Sequence, residues 1–234
     1  MKYVSIDIET TELNKEKCQV LEIGAISEDT NNPLSFDEIP KYKCIIGWEE
    51  IMGSVFAIDM NNRIIKILAE LGTIKDSTQK EIFRKKHNII HPNDVAPHLY
   101  YFLYLNGMIP GMDSNGALLG GGYAQTWNGQ MVPMINNATK PAKIYVAGKN
   151  FASFDAPFLQ KLPRFNDVIQ FGHRMIDPAM AFINWTEDEQ PPSLSECKKR
   201  AGLENNIEVS YNALEDAWDV IQVLRTKYSQ KVGR

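Results

Sequence analysis

Cysteine is scarce in this 234-residue chain. Cys18, Cys44 and Cys197 are odd in number, scattered, and form no Cys-x-x-Cys pair. Neither a disulfide framework nor a zinc site is indicated, and reduced thiols in a cytoplasm are expected. Long apolar runs are missing too: none approaches the ~20 residues a helix needs to cross a bilayer, so no membrane partner is expected. The first residues carry one lysine and then place acids where a signal peptide needs its apolar segment, so secretion is not expected. Basic charge is not in excess. With a formal net charge of -4, the chain has no broad cationic surface for coating nucleic acid. A polyanionic partner would have to be held over a few residues, with metal ions supplying positive charge. Internal repeats are absent and no linker separates two comparable halves, which leaves residues 1–234 as a single domain. The 44% apolar and 23% charged fractions are those of a globular protein.

Period-two patterning marks strands over Lys2 to Ile8, Gln19 to Ser27 and Tyr42 to Ile46, a meander in the first fifty residues. Helical spacing follows in Ile64, Ile65, Leu68 and Leu71, and again in Val95, Leu99, Phe102 and Leu103. Lys143 to Gly148 reads as one more strand and Phe154 to Lys161 as the helix after it. Ser193-Leu194-Ser195-Glu196 is a capping box, and Gly202 stops the short helix it opens. A last helix is predicted from about Asn212 to Tyr228, with Ala213, Ala217, Val220 and Leu224 facing the core and Asp216 on the same face. Residues 107–142 break the pattern, being rich in Gly, Asn and Pro. They read as an insertion, with Trp127-Asn128-Gly129-Gln130 offering a hairpin turn.

Chemistry enters with Asp7 and Glu9. Two apart on a strand, they leave the same face and can share a cation. Carboxylates crowded together repel and raise one another's pKa, so a cluster of them calls for bound divalent metal. Asp155, in Asn150-Phe151-Ala152-Ser153-Phe154-Asp155, and Asp216, in Tyr211-Asn212-Ala213-Leu214-Glu215-Asp216, complete a set of four.

Together the Asp-x-Glu-Thr opening, the Asn-x-x-x-x-Asp middle motif and the final acid inside the last helix resemble the DEDDh branch of the 3′-to-5′ exonucleases. That family includes polymerase proofreading subunits and oligoribonuclease. Glu22-Ile23-Gly24-Ala25, Met175-Ile176-Asp177-Pro178 and Arg200-Ala201-Gly202-Leu203 extend the likeness over nearly all of the chain outside residues 107–142. The resemblance implies an α/β, ribonuclease H-like fold: a mixed five-stranded sheet flanked by helices. It implies that Asp7, Glu9, Asp155 and Asp216 hold two Mg²⁺ or Mn²⁺ ions and that the substrate is the 3′ end of single-stranded DNA or RNA. Thr10 and Leu13 match positions that meet the terminal 3′-hydroxyl and the last base, and Asn150 matches the middle-motif amide.

The family's histidine, five residues before the last acid, is replaced by Tyr211. Tyrosine titrates near 10 where histidine titrates near 6.5, so Tyr211 is expected to orient water rather than act as a strong base. His87, His91, His98 and His173 are candidates for a displaced base, and nothing in their spacing singles one out. The alternative function is a binding module of the same fold with weakened catalysis. No polymerase partner is indicated, and the oligomeric state is not legible.

Overall fold

A computed structural model describes residues 1–109, 119–135, 141–203 and 212–228. In chain order it contains β1 (Lys2–Thr10), β2 (Val20–Asp29), β3 (Lys41–Ile46), α1 (Val55–Met60), α2 (Asn62–Thr73), α3 (Ser77–His87), β4 (Ile89–Ile90) and α4 (Val95–Leu105). A hairpin of β5 (Leu119–Gln125) and β6 (Met131–Ile135) precedes β7 (Ala142–Ile144), β8 (Val146–Ala147), α5 (Asp155–Leu159), α6 (Phe165–Val168) and β9 (Ile169–Phe171). Last come α7 (Ala179–Phe182), α8 (Leu194–Arg200) and α9 (Ala213–Tyr228).

The main sheet is mixed and five-stranded, ordered β4-β3-β2-β1-β8. β1 to β3 form the expected antiparallel meander, and β4 and β8 add parallel edges. Helices flank both faces because alternate residues of β1 serve two cores. Val4, Ile6 and Ile8 pack with Val95, Leu99 and Leu103 of α4. Tyr3, on the other face, packs with Ala217, Val220, Ile221 and Leu224 of α9. Each fully buried Leu, Ile or Val here contributes roughly 1.5–3 kcal/mol. No helix among the described residues is long and apolar enough to cross a membrane.

Several expected boundaries shift. β1 runs on through Thr10 rather than ending at Ile8, so Glu9 lies within the strand and faces Glu22 of β2. The single strand expected over Lys143 to Gly148 is two pieces: β7 pairs with β9, and β8, beyond the exposed Tyr145, pairs with β1. The helix expected from Phe154 to Lys161 is confined to Asp155–Leu159. α1 and α3 were not anticipated, because neither buries a residue and so neither carries a full apolar stripe. The hairpin turn is where the Asn-Gly pair places it: Gly129 takes φ +78°, and Thr126 N–H donates to Gln130 O at 2.8 Å.

Candidate metal centre

Asp7 and Glu9 point from the α9 side of β1, as the strand alternation requires. Asp216 reaches them from the first turn of α9, and one carboxylate oxygen from each of the three lies within 4.8 Å of the others. Gly24 explains how a helix comes so close. It sits opposite Asp7 in the β1–β2 register, and a Cβ there would fall 2.3 Å from Ala213 C and Leu214 N. Asn212 fixes the same end: its Oδ1 accepts from Leu214 N–H at 3.3 Å and from Lys43 Nζ at 2.7 Å, and its amide donates to Glu215 at 2.8 Å. The far end is held by Glu28 of β2. That carboxylate, fully buried, accepts from Arg225 at 2.7 Å and from Tyr228 OH at 2.8 Å.

Asp155 opens α5 and is buried. The backbone N–H groups of Asp155 itself and of Ile8, the residue between Asp7 and Glu9, pull its pKa down, and its charge acts on Asp7. β8 pairs with β1 only as far as Ala147, beside Ser5, so it ends before Ile8. Asp7, Glu9 and Asp216 are thus in mutual reach, and Asp155 acts on the same end of β1 through its charge.

Burial and like charge dominate their electrostatics, with Arg63, Lys43 and Lys198 opposing only in part. Burial first, then Asp155, Asp216 and Glu9, drives the Asp7 pKa well above the ordinary carboxylate range. Burial followed by the Asp216 charge pushes Glu9 up to about 7. Asp155 and Asp216 are also raised to about 7, chiefly by burial, with hydrogen bonds opposing the rise at Asp155 and Asp219 adding to it at Asp216. Among the described residues no ion pair holds any of the four. Three carboxylates in mutual reach, with burial resisting their charge, fit a hard divalent cation bound through oxygen.

Sequence reasoning missed the charges around this centre. Glu22, the cross-strand neighbour of Glu9, is fully buried and bracketed by Arg63 of α2 at 2.7 Å and Lys43 of β3 at 3.3 Å. Lys198 pairs with Asp219, one turn past Asp216, at 2.6 Å. An acid inside the apolar run Val20 to Ile26 was the available signal for Glu22.

The remaining candidates lie outside the carboxylate contact. Thr10 is buried and donates to Glu12 O at 2.9 Å, and Leu13 is 80% exposed in the loop beyond β1. Asn150 turns the chain toward α5 at φ +58°; its side chain accepts from Lys149 at 2.6 Å and its N–H donates to Asp177 at 3.0 Å. No hydrogen bond joins these three side chains to a cluster carboxylate among the described residues. Tyr211 lies outside the described residues. Of the histidines, His98 is buried against Thr126 at 3.0 Å and pushed down to about 4 by burial, His87 stacks on Phe83, and His91 meets Trp127 edge-on.

No family model and no curated protein sequence matches the chain. Among solved structures it is similar to E. coli Exonuclease I, determined in complex with a 5cy-dT13 oligonucleotide. The alignment covers 98% of this chain and 41% of that one, with TM-score 0.51 and 13% identity. The chain thus spans less than half the length of that neighbour. At such identity the likeness concerns the fold alone, a mixed five-stranded sheet flanked by helices.

Proposed function

We propose that the chain is a metal-dependent 3′-to-5′ exonuclease that shortens single-stranded DNA or RNA, releasing nucleoside 5′-monophosphates. What supports this reading is the half-buried cluster of Asp7, Glu9 and Asp216, with the charge of the buried Asp155 acting on it, in a chain whose fold is similar to that of Exonuclease I. The four acids would hold two Mg²⁺ or Mn²⁺ ions. Bound there, the ions supply charge neutralisation, a more acidic water and stabilisation of the leaving 3′ oxygen.

The chain's own groups divide the remaining work. Gly24 and Asn212 set the height of Asp216 above β1. Thr10 and Leu13, just beyond Glu9 in the chain, are assigned to the terminal nucleotide, with the exposed Leu13 side chain offered to its base, and Asn150 is assigned to substrate binding as the middle-motif amide. Tyr211 is assigned to orienting water. Residues 1–234 are proposed as one catalytic domain with 107–142 as its insertion.

A dead binding module would have no need of a mutually repulsive cluster that raises its own pKa values, so catalysis is the reading the acids favour. A 5′-labelled oligonucleotide incubated with protein and Mg²⁺ or Mn²⁺ should yield a ladder of shortened products. EDTA and Asp7→Ala should each abolish it. Intact substrate across all metals and pH values would overturn the proposal.

A further inference from the structure

The basic run Arg84-Lys85-Lys86 and the hairpin aromatic Trp127 are separate in sequence, and the structure brings them together. The Arg84 guanidinium carbon lies 3.7 Å from the centre of the Trp127 ring, and His91 stands edge-on to the same ring at 5.5 Å. These three line a cleft of about 560 Å³ between α3 and the β5–β6 hairpin. Its two acids are already engaged: Glu81 accepts from the Gln125 amide and Asp94 from Trp127 N–H, each at 3.3 Å. Arg84 Nε, in contrast, is buried without a hydrogen-bond partner among the described residues. An unmet, desolvated donor is costly, so the guanidinium is under-satisfied where it lines the cleft and would gain from an anionic acceptor there. A guanidinium lying over an indole also offers its outer face to a nucleobase, which stacks on arginine planes as it does on aromatic rings.

The cleft is aligned with the acids. Glu9, Glu22, Ile45 and Ile89 form one row across the sheet, so β4 lies three strand spacings, about 14 Å, from the acidic strand. A second cavity, of about 480 Å³, shares His91 and Asn93 with the first and runs past Trp48, Glu49, Glu50 and Met52 to Gln19. Gln19 O in turn accepts from Thr11 N–H, two residues beyond Glu9. The separation matches about four nucleotides at the ~3.4 Å spacing of a stacked strand.

We propose that the Arg84–Trp127 cleft is a second nucleic-acid subsite, holding an upstream segment of the same single strand whose 3′ end lies at the acids. It rests on the exonuclease reading above. One base stacks on Arg84, and a phosphate accepts from the guanidinium and from His91. The contact favours strands long enough to span both places and leaves the chemistry of the last bond unchanged.

Steady-state hydrolysis of a trinucleotide and of a strand of about fifteen nucleotides tests this, using wild type, Arg84→Ala and Arg84→Lys. Both variants should raise KM for the longer strand by about tenfold and leave kcat, and all constants for the trinucleotide, unchanged. Trp127→Phe should keep most of the wild-type length preference. An equal effect on both lengths, or none on either, would overturn the subsite. If wild type hydrolysed neither strand, the exonuclease reading would fail, and anisotropy of the labelled longer strand with EDTA-treated protein would then decide the cleft. Weaker binding by Arg84→Ala alone supports it; unchanged binding sinks it.

Discussion

Replacing Gly24 by alanine is the sharpest test of how the acidic site is assembled. The new Cβ would lie 2.3 Å from Ala213 C and Leu214 N and 2.4 Å from Ala213 O. Ordinary carbon contacts begin near 3.5 Å, so about 1 Å must be found. All three obstacles are main chain, so no rotamer change relieves the clash. Either β2 buckles or the first turn of α9 retreats, and Asp216, in that turn, moves with it. Overpacking of this kind costs roughly 1–3 kcal/mol, against which alanine's better strand propensity returns about 0.5–1 kcal/mol. The larger effect should fall on cation binding, where disturbing the support of a ligand typically weakens affinity about 10- to 100-fold. Urea unfolding without metal and calorimetric Mn²⁺ titration would measure the two effects separately. Gly72→Ala in α2 is the control: beyond the backbone of its own helix no atom lies within 4 Å of a Cβ built there, and it should stabilise by about 0.4–1 kcal/mol with Mn²⁺ affinity unchanged. Wild-type Mn²⁺ affinity in Gly24→Ala would refute the argument that close approach of α9 builds the site.

Two further outcomes concern charge. Glu9, Asp155 and Asp216 titrate near 7 in the folded protein and near 4 when unfolded, so between those values the folded state binds more protons. The stability of EDTA-treated protein should therefore fall as pH rises from about 4 to about 7, and Mn²⁺ should raise the melting temperature more at about pH 8 than at about pH 5. A metal-free melting temperature that climbs across that window would contradict the clustering. Arg225→Met should cost about 3–5 kcal/mol by leaving Glu28 buried and uncompensated, and adding Glu28→Gln should recover part of the loss in urea titrations. A neutral Arg225→Met would show that Glu28 is not held by that pair.

The sequence carried the meander, the last helix and the hairpin because their apolar periods and turn residues are strong and local. It also placed Asp7 and Glu9 on one face, since alternation alone requires it. Meeting Asp155 and Asp216 was not derivable from spacing; the motifs' likeness to a known family supplied it. α1 and α3 stayed hidden because exposed helices leave no apolar stripe to read. Glu22 was visible as an acid in an apolar run, but its place beside Glu9 depends on register between two strands, which no single segment encodes. The meeting of Arg84 with Trp127 is likewise a product of the tertiary fold.

Anchored by Asn212 at one end and by Glu28 at the other, α9 behaves as a ruler laid across β2. One extra residue between Asp216 and Arg225 would turn the two anchors by about 100° relative to each other, since a helix has 3.6 residues per turn. The stretch separating them is thus closed to insertion and deletion, whatever its individual side chains tolerate.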